Sequence, residues 1–367
     1  YRRGVRNFVV SQVPKGYASD YPEANFLKVV NTLEALQRLA ERHRDEFNIP
    51  IVGITGSNGK TMVKEWLHQL LSPSMFVTRS PRSYNSQIGV PLSVWLLNEQ
   101  TQVGVFEAGI SQPGEMLALR DIIQPTIAVL TYLGAAHQEN FESLEAKCRE
   151  KIILFHDADT IVYNGDDKTV SGVVNEYKDY KGEKLFWSFR DTKAPFFVKN
   201  VEKKGNLSII TYIYKGEEDS YSLPFIDEAS VTNSIIAAVV SRRLGLSAEE
   251  LDKRMALLEP VAMRLEVKEG QHGCTLINDS YNSDINSLDI ALDFMSRRPD
   301  HKGRRHTLIL SDIFQSGESA KDLYHEVSDL CRKRGVVKFI GIGPQLCSQS
   351  DEIQISEKFF FSNVEEF

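Results

Sequence analysis

One stretch constrains this chain more than any other. A β-branched run, "IPIVGIT" (residues 49–55), enters a glycine-rich loop and then a helical pattern, "KTMVKEWLHQLL". A strand leading through glycines into a helix suits a phosphate site, because backbone N–H groups and the helix N-terminus converge there. The common phosphate loop needs a glycine, four intervening residues, then Gly-Lys-Ser/Thr. Counting back from Gly59, that position holds Ile54, and the glycines present are Gly53 and Gly56. Two readings stay open on this ground: an accidental glycine-rich turn, or a nucleotide loop of another lineage.

The rest of the chain repeats the rhythm. "QVGVFEAG", "PTIAVLTYLG" and "ADTIVYNGDD" read as strands, and "PGEMLALRDII" and "SLEAKCREKIILF" as helices. Such alternation predicts an α/β fold with a central, mostly parallel, P-loop-type sheet. Residues 25–47 carry apolar residues at helical spacing (Leu27, Val30, Leu33, Leu36, Leu39). Residues 186–224 read as antiparallel strands, an insertion or a sheet edge. A linker near residue 260 precedes a restart of the α/β pattern, which predicts a second, Rossmann-like unit. Length alone suits two or three domains, with one boundary expected near residue 260.

The formal charge of −7 lacks the basic excess that nucleic-acid binders show. No apolar run approaches the ~20 residues of a membrane span. Four widely spaced cysteines form no C-x-x-C pair, which fits a reducing cytosol and argues against structural zinc. The abrupt start at Tyr1 and end at Phe367 read as a fragment of a longer protein.

Several residues could carry chemistry, and each has an ordinary alternative. Lys60 would meet the β/γ phosphates and the Thr61 hydroxyl a Mg²⁺; alternatively they belong to a surface turn. Glu107 ends a strand, where open α/β sheets bind ligands, although strand-end carboxylates are common. His137 follows another strand end and could bind a metal or be structural. Lys151 ends an amphipathic helix, where a snorkelling lysine is the ordinary reading. Asp279, Tyr281 and Asn282 in "LINDSYNSD", and Asp312 and Glu318 in "SDIFQSGE", cluster at strand ends of the last unit, with Arg264 in the linker. Turns are rich in such residues in any case.

Taken together these residues resemble the Mur ligase family. Its short loop, T-G-[ST]-x-G-K-[ST], is matched by Thr55, Gly56, Ser57, Asn58, Gly59, Lys60 and Thr61. "YNSQIGVP" is similar to N-N-x-I-G-x-P, keeping Asn85. "FEAGISQPGE" carries the strand-end Glu107, "LTYLGAAHQENF" carries His137, and the "SLE…K" spacing puts Lys151 on the lysine that the family carbamylates. "NDSYNSD" and "LSDIFQSGE" resemble the MurF-type branch. Two departures stand out: Ile152 and Ile153 replace the glutamate expected after Lys151, and "ASVTN" keeps only Asn233 of H-N-x-x-N.

The resemblance implies an ATP-dependent peptide ligase of peptidoglycan synthesis in the cytoplasm. It would add D-alanyl-D-alanine to UDP-MurNAc-tripeptide through an acyl phosphate. Two Mg²⁺ are implied: one on Thr61 and Glu107, the other on Glu107, His137 and carbamylated Lys151. Asn233, Arg264 and Asp279 would contact the nucleotide, while Asn85, Tyr281, Asn282 and Asp312 would serve the substrates. The resemblance implies a division into 1–47, 48–259 and 260–367, the first piece being the remnant of an N-terminal α/β domain that binds uridine diphosphate. With most of that domain expected to be missing, this chain is expected to bind ATP but ligate weakly. A fused alanine racemase is a further expectation. The alternatives are another Mur or folylpolyglutamate-type ligase, and a non-catalytic nucleotide-binding scaffold.

Overall fold

Two short strands, β1 (Asn7–Val10) and β2 (Asn25–Lys28), open the chain and pair in parallel. The computed structural model of the protein describes residues 1–134, 138–178, 180–261, 265–280, 284–297, 303–314 and 319–367. The helical spacing over residues 25–47 is only partly realised, because the helix begins at Thr32. Asn31 stops it from extending backward: its side chain accepts from the Leu33 and Glu34 amides, capping the helix. Upstream, Leu27 and Val30 are exposed rather than packed.

The core is a six-stranded sheet of β3 (Ile51–Thr55), β4 (Val77–Arg79), β5 (Val103–Glu107), β6 (Ile127–Leu130), β7 (Thr160–Val162) and β8 (Glu183–Lys184). Its order is β4-β5-β3-β6-β7-β8, with every pairing parallel. The strand after which the glycine loop comes therefore lies in the middle. Successive side chains leave a strand on opposite faces. Val52 and Ile54 join one hydrophobic layer with the Lys60–Leu71 and Glu228–Arg243 helices. Ile51 joins the other, against the Gly89–Val94, Glu115–Ile123 and Leu144–Ile152 helices. Burial on both faces explains why the strand reads as a continuous apolar run.

The antiparallel segment is not an edge of that sheet. β9 (Trp187–Ser188), β10 (Phe196–Lys204), β11 (Leu207–Tyr214) and β12 (Glu217–Leu223) form a sheet of their own. Its inner residues Phe196, Val198, Ile210, Tyr212, Tyr221 and Leu223 share the first hydrophobic layer, where Trp66 stacks on Phe225. Beyond the linker, β13 (Glu266–Glu269) and β14 (Thr275–Asn278) make an antiparallel pair. β15 (His306–Ser311), β16 (Val336–Ile342) and β17 (Glu357–Phe361) make a parallel sheet with a core of its own around Tyr324, Val327 and Phe339. The four cysteines are free. Among the described residues, no helix is long and apolar enough to cross a membrane.

One buried cation ties the Thr32–Arg44 helix to the Glu115–Ile123 helix. Arg44 donates from Nε to the Ile123 carbonyl (3.0 Å), from Nη1 to Phe47 (2.6 Å) and from Nη2 to Gln124 (3.0 Å). Two of these carbonyls close the C-terminus of the Glu115–Ile123 helix, a position that favours a cation. Arg44→Ala is expected to lower the unfolding free energy by about 2–3 kcal/mol, the scale of a charge-assisted hydrogen bond lost from a buried site. Urea denaturation would show it as a reduced midpoint; an unchanged midpoint would mean that this junction carries no stability.

Candidate active site

The glycine loop is shaped by two close approaches. Gly56 has φ +144°, and a Cβ there would lie 2.1 Å from Thr131 Oγ1. Gly59 has φ +88° and opens the helix; its Cβ would lie 2.4 Å from Asn233 Oδ1. The loop is then laced to the end of β6. Ser57 N donates to the Tyr132 carbonyl (2.7 Å), Gly134 N to Ser57 Oγ (2.9 Å) and Thr131 Oγ1 to the Asn58 carbonyl (2.5 Å). Ile54, which stands where the longer loop would need glycine, is fully buried within β3. The strand simply runs further before the turn. Among the described residues, Thr55 Oγ1 and the Asn58 side-chain nitrogen are buried polar atoms without a hydrogen-bond partner, as suits a loop built to receive an anion.

Two lysines converge on one loop carbonyl. Lys60 Nζ donates to the Gly56 and Ser57 carbonyls (2.7 and 3.2 Å), and Lys151 Nζ reaches the same Gly56 carbonyl at 3.4 Å. Lys151 is buried, and burial, then Lys60, then Lys147 hold its pKa well below the usual ammonium value. That favours the neutral, nucleophilic amine. One helical turn earlier, Lys147 is also buried and donates to the Gly134 carbonyl and Gln138 Oε1. Burial lowers its pKa to about 8, against the opposing pull of Glu139 and Asp284.

Glu107 closes β5 directly beside Ile54 of β3. Its Oε2 accepts from Thr61 Oγ1 at 3.1 Å and from Asn85 Nδ2 at 3.5 Å, and Thr61 Oγ1 lies 2.9 Å from Ser83 Oγ. Its Oε1 pairs with Lys64 Nζ at 3.0 Å, both side chains being fully buried. Carboxylate and hydroxyl oxygens are the donors a hard cation such as Mg²⁺ prefers, and Mg²⁺ commonly completes its shell with phosphate and water. No three His, Cys, Asp or Glu side chains gather for a metal among the described residues. The oxygens of Glu107, Thr61 and Ser83 thus fit an ion shared with a nucleotide.

Beside the loop lies a small cleft lined by Asn58, Gly59, Thr61, Met62, Asn233, Leu265, Asp279, Ser287 and Ile290. Asn233 and Asp279, 46 positions apart, thus face one space from the middle and last parts of the chain. Asp279 Oδ1 accepts from Leu265 N at 3.2 Å. Asp312 is placed differently. Its carboxylate accepts from Gln345 N and Leu346 N (3.0 and 2.8 Å), capping a short helix after β16. His137, Arg264, Tyr281, Asn282 and Glu318 lie outside the described residues.

Lys64, Ser83 and Lys147 escaped the sequence reading. Neither Lys64 nor Ser83 offered a signal in the sequence; Lys64 is buried along with Val63, Trp66, Leu67, Leu70 and Leu71 of its helix.

Three comparisons extend the geometry. A family model described as the Mur ligase middle domain matches residues 54–241. The UDP-N-acetylmuramoyl-tripeptide–D-alanyl-D-alanine ligase of Bacillus subtilis is 28% identical over 303 residues, covering 81% of this chain and 64% of that protein. The ligase of that name from Buchnera aphidicola is 28% identical over 348 residues, covering 93% of this chain and 74% of that protein. The crystal structure of a MurF ligase from Thermotoga maritima, in complex with ADP, superposes with a TM-score of 0.81 at 22% identity. The match covers 98% of this chain and 80% of that one. The chain thus spans roughly two thirds to four fifths of the relatives it matches.

Gly56→Ala is expected to destabilise the fold by about 1–3 kcal/mol through overpacking against Thr131 and to abolish saturable ADP binding in calorimetry. Gly114→Ala is the control. That position also has positive φ (+86°) but open space around it, so the change should cost about 1 kcal/mol and leave ADP binding intact. Equal effects of the two variants on ADP would refute the loop geometry.

Proposed function

The chain belongs to the Mur ligase family, and from that premise we propose that it joins D-alanyl-D-alanine to UDP-MurNAc-tripeptide using ATP, in the synthesis of peptidoglycan precursors. The observation that carries this reading is a convergence at the carboxyl ends of the central strands β3 and β5. A phosphate loop, a buried carboxylate with two hydroxyls, and a buried lysine of depressed pKa meet there. The names of the B. subtilis and Buchnera relatives support the choice of substrates, and the ADP complex of the Thermotoga structure supports the nucleotide.

A carboxylate becomes an acylating agent only when its oxygen is made a leaving group. In the proposed reaction a carboxylate oxygen of the tripeptide attacks the γ-phosphorus of ATP, and the bond to ADP breaks. The amine of D-alanyl-D-alanine then attacks the carbonyl carbon; the C–O bond to phosphate breaks and the amine sheds a proton. Protein work in such transfers is positioning and charge neutralisation. Loop amides and Lys60 hold the β/γ phosphates, and Thr61, Ser83 and Glu107 offer oxygens to Mg²⁺. Bound there, Mg²⁺ supplies charge neutralisation to the phosphates in flight. A second ion would use Glu107, His137 and Lys151. For that role Lys151 must carry a carboxylate, since an ammonium would repel the cation, and its low pKa makes the amine ready for CO₂. Asn233, Arg264 and Asp279 serve the nucleotide, and Asn85, Tyr281 and Asn282 the substrates. Asp312 helps to position the incoming dipeptide.

In this reading residues 48–259 are the ATP-binding unit and residues 260–367 the unit that closes on it, with 1–47 belonging to the sugar-nucleotide side. The reaction belongs in the cytoplasm, where its nucleotide substrates are. None of the relatives named above supports a fused alanine racemase. A non-catalytic scaffold would have no need of Lys60, Thr61, Glu107 and Lys151 together.

Phosphate release from ATP should require both UDP-MurNAc-tripeptide and D-alanyl-D-alanine. Release with a diamino acid, and not with the dipeptide, would overturn the proposal in favour of another ligase of the family. Lys151→Ala should retain ADP binding while turnover falls on the order of 100-fold, the scale of a lost charge-stabilising group. NMR after incubation with ¹³C-bicarbonate should show a carbamate signal in the wild type that the variant lacks. Its absence from the wild type would sink the carbamate.

A further inference from the structure

Lys64 has no part in the reaction proposed above, yet it is fully buried on the helix that follows the phosphate loop. Four oxygens surround its ammonium. It donates to the carbonyls of Ser80 (2.9 Å) and Arg82, and it lies 3.0 Å from Glu65 Oε1 and 3.0 Å from Glu107 Oε1. Arg82 is one of the few non-glycine residues with positive φ (+49°), a conformation that persists only when its surroundings hold it. The next residue is Ser83, whose hydroxyl meets Thr61. One ammonium therefore does two things: it delivers Ser83 to the site, and it takes up one oxygen of Glu107.

The second effect has a chemical consequence. Oε1 accepts no hydrogen bond but is held 3.0 Å from the Lys64 ammonium in a buried ion pair, and it is Oε2 that turns toward Thr61 and Asn85. A carboxylate limited to one oxygen suits Mg²⁺, which demands compact octahedral coordination at ~2.0–2.1 Å. Ca²⁺ prefers six to eight oxygens at ~2.3–2.6 Å and readily takes a carboxylate through both. We infer that Lys64 is a positioning residue that sets the cation selectivity of the site, holding Glu107 to one-oxygen ligation and so favouring Mg²⁺ over Ca²⁺. The inference rests on the proposed Mg-nucleotide site.

Mn²⁺ is the probe, because its free electron-paramagnetic-resonance signal falls on binding, independently of turnover. With the whole chain and saturating ADP, bound Mn²⁺ is titrated with Mg²⁺ and separately with Ca²⁺. In the wild type Mg²⁺ should displace Mn²⁺ at clearly lower concentration than Ca²⁺. In Lys64→Met, an unbranched chain without the charge, that ratio should narrow by roughly tenfold, the lower end for losing a ligand's outer partner. Lys64→Arg, which keeps a cation, should retain most of it. A merely structural lysine would weaken both ions alike, so an unchanged ratio in folded Lys64→Met overturns the inference. Should Lys64→Met fail to fold by circular dichroism, Lys64→Gln gives the same comparison. The wild type decides in either case, since Ca²⁺ competing as well as Mg²⁺ overturns the inference. Failure of the wild type to bind Mn²⁺ with ADP would instead overturn the nucleotide site on which it rests.

Discussion

Glu107 can lie beneath the phosphate loop only because Lys64 is buried with it. Two opposite charges taken out of water together are tolerable when hydrogen bonds complete the pair, whereas removing one partner typically costs about 3–5 kcal/mol. Here the Ser80 and Arg82 carbonyls accept from the lysine, and Thr61 and Asn85 donate to Oε2 of the carboxylate, while Oε1 has the ion pair alone. The residues completing it are the ones the site is made of. Stability at the carboxyl end of the inner strands and geometry of the candidate metal position are therefore one problem with one solution.

Strand order makes that solution available. β3 lies between β5 and β6, so the loop after β3 has a carboxylate on one side and the Thr131–Gly134 segment on the other. Crevices at the carboxyl ends of parallel strands are where open α/β sheets bind ligands. The second sheet supports the arrangement from behind. Its inner face packs on the same layer as the Lys60–Leu71 helix, and the Glu228–Arg243 helix brings Asn233 against Gly59. The last part of the chain adds Asp279 to the cleft.

What could be read in the sequence was what depends on near neighbours. The strand, loop and helix around Gly56 and Gly59 follow from a local pattern, and so does the position of Glu107 at a strand end. Lys64 was illegible because its meaning comes from residues 80, 82 and 107, and a lysine in "KTMVKEW" otherwise looks like helix surface. Ser83 was illegible for the same reason. Lys151 stood out only through the family pattern; burial of its side chain beside Lys147 and Lys60 is a tertiary fact. The helix over residues 25–47 was read too long because helical spacing continued upstream of Asn31, whose capping outweighed it. Asp312 was recognised as a residue with a task, but the amides of Gln345 and Leu346 that occupy it are far along the chain.

The lacing of the loop to β6 also sets an order of events. Ser57 finds Tyr132 and Gly134 only after the intervening helices and β5 have been made, and β3 pairs with strands that both come later. Contacts between residues so distant in sequence form late, since the loop-closure entropy must be met first. On a ribosome, the newborn segment from Ile51 to Leu71 would wait as an unpaired apolar strand and helix until Gly134 has cleared the exit tunnel. For that interval the glycine loop is a site in sequence but not yet in space.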